Sequence, residues 1–378
     1  MTGRLTLGQI LRRPASTAES RESAALLVAA VAFVVAAAIA LLVFAGGPRA
    51  IAGPGSVGQF AAIGAALTSV VVFVAARWFV GRAAAEREPE DSRLLPRMRW
   101  FDVAGVAVAH GVIALLGWIG AAYVLESSFV GAVVFPLSAA LLTGVVVACT
   151  AYLTVVSATS MTPMLLSLVL MVFLVVGVFA SMLSATDPEW WKKNLSTLGI
   201  SDDISALTFN LTVIIAGLLV TTIAHFGTAG IPAKTDRQRR GRRIVRTELL
   251  VLGILLACVG LFPVDEYLAI HNTVASGMAV LFVALIIGLR RNIPTAPRVF
   301  VMLGYVMVLC IVVIAVLFAT GYYNLTAVEL IAFLIIFTWL LLFLRNTAAM
   351  ADESAHHRDD ADVSAREPSP STTRTRSE

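Results

Sequence analysis

Ten apolar runs, each close to the length of a bilayer crossing, leave this chain few folds to adopt. They cover 24–45, 56–80, 102–125, 129–156, 164–186, 205–227, 247–263, 269–289, 299–320 and 325–345. About 20 helical residues span the ~30 Å hydrocarbon core, and in lipid every backbone N–H and C=O must be satisfied inside the protein. The expected fold class is therefore all-α, a polytopic transmembrane bundle of about ten helices. Composition agrees. Hydrophobic residues make up 58% of the chain and charged residues 14%, against roughly 45–50% and about 25% in soluble domains. The first run exceeds the 7–15 residues of a signal-peptide core and follows a polar leader, so it reads as a retained helix. Pro136 inside the fourth run predicts a kink there. The seventh run is short and ends at Pro263.

Charge then sets the expected orientation. Apart from Lys192, Lys193 and Lys234 the cations are all arginine, a bias that fits a GC-rich bacterial genome. With ten spans, the leader (Arg4, Arg12, Arg13, Arg21), the second connection (Arg82 to Arg99), the sixth (Lys234 to Arg246), the eighth (Arg290, Arg291, Arg298) and the tail share one side. The opposite connections hold only Arg49, Lys192 and Lys193. Cytoplasmic loops carry the positive excess, which places both termini in the cytoplasm. The setting implied is the plasma membrane of a bacterium.

The net charge of +4 is a loop property and gives no reason to expect nucleic acid. Membrane lipid is the expected partner and no cofactor is expected. The basic stretch 227–246 reads as a solvated determinant of topology, and Asp352–Glu378 as a disordered tail. Cys149, Cys258 and Cys310 sit in apolar runs without paired spacing and read as small buried residues. The organisation expected is a leader (1–23), a four-helix region (24–157), a six-helix domain (162–346) and a tail (347–378). No pair of Gly- or Pro-broken helices marks an inverted transporter repeat.

Function is sought where polar groups meet lipid. The connection from Asp187 to Asn210 is the longest polar run on the exterior side. It carries Trp190 and Trp191, suited to the headgroup layer, beside Lys192 and Lys193. By helical rise Asn210 lies about 8 Å below the entry of its span and Glu329 about 6 Å below its own. Asp265 and Glu266 end the seventh span, and His271 and Asn272 open the eighth. Four helices thus bring polar side chains to one outer layer, and Glu329, a carboxylate one turn inside lipid, most needs a partner. His110 lies deeper from the other side and reads as a packing residue.

Four motifs in order, Ser196-Thr-Leu-Gly199, Phe209-Asn210, Gly260-Leu-Phe-Pro-Val-Asp265 and His271-Asn272, carry a resemblance. From about Thr162 to Arg345 the chain resembles the bacterial membrane proteins grouped as domain-of-unknown-function family 998. The resemblance implies a six-helix fold and an outward polar cluster of Ser196, Asn210, Asp265 and His271. It implies no activity, and the first four helices lie outside it.

Three functions compete. In the first, a lipid headgroup is bound by Trp190, Trp191, Lys192 and Lys193, with Ser196, Asn210, Asp265, His271 and Glu329 beneath. Lysines beside aromatic rings suit an anionic phosphate. In the second, Glu329 or His110 titrates in a proton-coupled transporter. The third is a metal-dependent intramembrane hydrolase using His271, Asp265 and Glu329, a thin ligand set with no His-Glu-x-x-His motif.

Overall fold

The computed structural model describes residues 18–85, 99–200, 204–233 and 235–366. The helices are α1 (Ala18–Val43), α2 (Val57–Ala85), α3 (Trp100–Ser128), α4 (Pro136–Thr159), α5 (Pro163–Ser184), α6 (Ile204–Ala229), α7 (Asp236–Leu261), α8 (Leu268–Asn292), α9 (Arg298–Ala319) and α10 (Leu325–Arg366). Among the described residues these ten helices are long and apolar enough to cross a membrane. The outward faces carry Leu42, Val71, Val145, Leu183 and Val299, large apolar side chains that only lipid would cover without cost. This is a multi-pass helical membrane protein.

Several sequence boundaries move, each for a local reason. Pro136 does not kink a helix. It is the first residue of α4, where its missing N–H is not needed. The run expected from 129 is interrupted by Gly131 at φ +74° and by the strand β2 (Val133–Val134), paired antiparallel with β1 (Arg49–Ala50). Glu126 sews the same corner, accepting from Ile51 N at 3.1 Å and Ala52 N at 3.0 Å.

The stretch 227–246 is not a solvated loop throughout. Thr235 and Gln238 form a capping box that starts α7 at Asp236. Arg246 donates to Thr228 Oγ1 at 2.8 Å and Arg242 to the Ile231 carbonyl at 3.3 Å, so two of its cations fasten the turn between α6 and α7. At the carboxyl end, where disorder is expected from Asp352, helix continues to Arg366. The rest of the tail and most of the leader lie outside the described residues. Cys149 and Cys310 face outward instead of being buried; both are free thiols.

In the first half α1 packs on α4, and α2 on α3 and α4. In the second, α5 to α10 close a ring, each packed on the next and α10 returning to α5. The halves share one core, in which Phe73 and Val106 join Phe173, Leu219 and Trp339. A polar fastener reinforces the join. Thr222 on α6 donates to Asp102 Oδ1 on α3 at 3.1 Å, and Arg99 N reaches Asp102 Oδ2 at 3.0 Å. Asp102 is fully buried, so Thr222→Val leaves a carboxylate oxygen without its donor. Interhelical hydrogen bonds in membranes average about 0.6 kcal/mol with a maximum near 1.7. A loss of ~1 kcal/mol is expected in detergent unfolding of Thr222→Val, with none for Thr221→Val, whose hydroxyl returns to its own helix.

Candidate functional site

The connection from α5 to α6 folds as two short 3-10 turns, Trp190–Lys192 and Leu195–Gly199. Asp187 opens it. Its Oδ1 accepts from Glu189 N at 2.8 Å; this bond first, then Lys193 and Lys192, holds its carboxyl below the usual range against some desolvation. Lys192 pairs with Glu189 at 2.5 Å and Lys193 with Asp187 at 3.4 Å, all in solvent, where such pairs hold little. Trp190 packs on the core, whereas Trp191 stays half outside with Lys192 Nζ 5.8 Å from its ring centre. Asn324 ties this first turn to α10: its Nδ2 donates to the Trp191 carbonyl at 3.0 Å while its Oδ1 caps Ala327 N at 2.9 Å.

The second turn is gripped by three helices. Glu329 of α10 accepts from Leu195 N at 2.5 Å. His271 of α8 meets Ser196 Oγ through Nε2 at 2.9 Å and the Phe262 carbonyl through Nδ1 at 2.7 Å. Asn210 of α6 donates from Nδ2 to the Gly199 carbonyl at 3.1 Å. Position 199 is glycine because a Cβ there would lie 2.5 Å from Asn210 Oδ1 and 3.1 Å from the Phe209 ring. Of the polar residues that the sequence places in one layer, Asn210, His271 and Glu329 therefore converge, on the Leu195–Gly199 turn itself. Asp265 and Glu266 do not join them; both are exposed in the turn before α8. Among the described residues no three His, Cys, Asp or Glu side chains group as metal ligands, so His271, Asp265 and Glu329 do not assemble the set that a metal hydrolase needs.

Beneath this turn lies a cavity of about 530 Å³ inside the helix ring. Leu174 and Val178 of α5, Phe209 and Val213 of α6, Leu252 and Leu256 of α7, Ala275 and Ala279 of α8, and Phe333 and Ile336 of α10 wall it. Along α10 the lining runs from Leu325 to Leu340, about 22 Å at 1.5 Å per residue. Its polar groups are Ser196, Asn272, Ser276 and Glu329. Ser196 on the Leu195 turn, Asn272 and Glu329, each four residues past the start of its helix, collect at one end, while Ser276 stands eight residues into α8, about 12 Å from its start.

Ser196 and Glu329 thus line the cavity. Trp190, Trp191, Lys192, Lys193, Asn210, Asp265 and His271 do not. Asn272 completes its polar end, and Ser276 follows one helical turn further into the cavity on α8. Asn272 is visible in the sequence beside His271, but Ser276 looks like any hydroxyl in an apolar run.

Residues 167–346 match the family model described as Protein of unknown function (DUF998). The matched region runs from the second turn of α5 to Asn346 in α10 and holds the gripped turn and every residue lining the cavity. Helices α1 to α4 lie outside it. No curated protein and no solved structure matches the chain.

Proposed function

We propose that the DUF998 region binds a membrane amphiphile, its polar end among Ser196, Asn272 and Glu329 and its chain in the largely apolar shaft below. One observation carries this reading: three of the cavity's four polar groups sit at one end, and Ser276 alone breaks the apolar walls below them. Ligand sites of about 300–1,000 Å³ with mostly apolar walls and a few convergent polar groups are the usual form for small molecules. A uniformly polar solute would leave its hydrogen-bonding groups unpaired against Leu252, Phe333 and Leu340. A chain-bearing lipid would not. With the basic ends of the helices in the cytoplasm, the polar end faces the exterior.

The test is the lipid retained by the purified chain, counted by native mass spectrometry. Ala279→Trp and Ala332→Trp fill the shaft from α8 and α10, and each is expected to lower bound lipid at least tenfold. Lys192→Gln with Lys193→Gln is expected to change nothing, because these side chains pair with Glu189 and Asp187 outside the cavity. Unchanged lipid in both tryptophan variants, or a loss confined to the lysine variant, overturns the cavity in favour of a headgroup surface.

A further inference from the structure

A serine hydroxyl and an imidazole meet in the cavity wall. His271 Nδ1 lies 2.7 Å from the Phe262 carbonyl. A carbonyl only accepts, so the neutral ring carries its proton on Nδ1 and presents a lone pair at Nε2. Ser196 Oγ, 2.9 Å from Nε2, then donates its proton to that lone pair. Among the described residues no donor reaches the lone pairs of Ser196 Oγ, and Ser196 lines the cavity while His271 is buried behind it. The next residue, Asn272, lines the same cavity, and its amide makes no hydrogen bond among the described residues. Glu329 holds the Leu195 N–H and so fixes the Asn194–Leu195 peptide, one residue before Ser196.

A base within reach of a hydroxyl, oriented by a third group, is the arrangement that activates a serine nucleophile. Resting on the cavity reading above, we propose that Ser196 accepts the acyl group of a lipid carboxylic ester, with His271 as general base and Asn272 as donor to the oxyanion. Ser196 Oγ bonds to the ester carbonyl carbon as its proton passes to His271 Nε2. The carbonyl oxygen takes the negative charge, toward the Asn272 amide. As the carbonyl re-forms, the bond to the leaving alcohol breaks and the proton on Nε2 moves to that alcohol's oxygen. The acyl group stays on Ser196 as an ester. Water entering from the polar end then adds to the acyl carbon and gives one proton to Nε2. That proton returns to Ser196 Oγ as the carboxylic acid leaves. No redox change is involved.

The molecule contains its own comparison. In the first half His110 bridges the Val106 carbonyl at 2.8 Å and Ser157 Oγ at 2.9 Å, the same pairing, with Phe73 against the ring. Neither His110 nor Ser157 lines the cavity. There the pair only joins α3 to α4, and no substrate chain can reach it by that route.

The experiment exposes the full chain in nanodiscs to a long-chain alkyl fluorophosphonate, with adducts located by intact mass and peptide mapping. One adduct is expected, on Ser196, absent from Ser196→Ala and absent from Ser157. General-base assistance contributes about 10²–10⁴-fold, so His271→Gln should slow labelling at least 100-fold. Loss of an oxyanion donor costs about 10²–10³-fold. Asn272 is exposed, so Asn272→Ala keeps the fold and should slow labelling by a factor in that range. Wild-type protein that retains lipid but takes no label on Ser196 overturns the nucleophile. Equal labelling of Ser196 and Ser157, or full-rate labelling of Asn272→Ala, overturns the assigned site. Retained lipid in Ser196→Ala keeps the cavity reading separate, since that reading fails only if lipid is lost from the shaft variants' parent or unaffected by filling the shaft.

Discussion

Gly253→Val is expected to yield no folded protein. A Cβ at Gly253 would lie 2.7 Å from the Gly217 carbonyl oxygen and 2.9 Å from Thr221 N; one at Gly217 would lie 2.5 Å from the Gly253 carbonyl oxygen. One heptad along α7, a Cβ at Gly260 would meet the Asn210 carbonyl oxygen at 2.6 Å. Backbone thus faces backbone along a seam of α6 and α7, the close approach that small residues permit between helices in lipid. A flexible side chain could turn away from an added methyl group, but a main chain cannot. Overpacking costs about 1–3 kcal/mol where side chains can shift, and more where they cannot, so ~3 kcal/mol is a lower bound here. The same displacement would carry Asn210 off Gly199 and Leu252 and Leu256 out of the cavity wall. Size-exclusion chromatography of a fluorescent fusion should show aggregate in place of a monodisperse peak. Gly277→Ala is the control, because its Cβ would meet only the end of Leu255 at 3.6 Å. A monodisperse Gly253→Val that keeps its lipid would disprove the seam.

That seam marks where reading the sequence stops. Lipid demands long apolar segments with every backbone group satisfied, so the ten spans were legible from hydropathy alone. What hydropathy could not separate is lipid-facing from cavity-facing surface, since both ask for the same residues. Leu183 on the exterior and Leu174 in the cavity wall are chemically one kind. The glycines were equally opaque: Gly253 and Gly277 both lie in apolar helices, and only the neighbouring helix distinguishes them. Polar residues were easier to find than to assign. His271, Asn210 and Glu329 stood out because lipid penalises them, yet sequence depth could not say that Asn210 and Glu329 would reach for the backbone of the Leu195–Gly199 turn and His271 for its Ser196 hydroxyl. Lys192 and Lys193 read as headgroup contacts because they stand beside Trp190 and Trp191, and only the folded turn shows them paired with Glu189 and Asp187. The Pro136 error had a simpler cause. The apolar run continues through a turn and a short strand, so nothing in its hydropathy marks where the helix begins.

The grip on the Leu195 turn yields the other large expected effect: Glu329→Leu should free it. Leu195 is 8% exposed, so little water reaches its N–H to replace the carboxylate oxygen. Hydrogen bonds to charged groups contribute about 1.5–3 kcal/mol, and 1.4 kcal/mol is tenfold in an equilibrium. Amide exchange at Leu195, followed by mass spectrometry, should therefore rise about 10- to 100-fold in Glu329→Leu. Glu329→Gln keeps an acceptor of the same reach without the charge and should fall between the two. The remaining ties, Ser196 to His271 and Gly199 to Asn210, leave from other atoms of the turn, so exchange across α5 and α6 should not change. A rise spread over those helices would mean that Glu329 supports the whole ring. An unchanged rate at Leu195 would mean that the turn is held without it. In the first case the carboxylate is a general brace; in the second the cavity mouth is set by His271 and Asn210 alone. Only a local rise fits a carboxylate that positions the peptide beside Ser196.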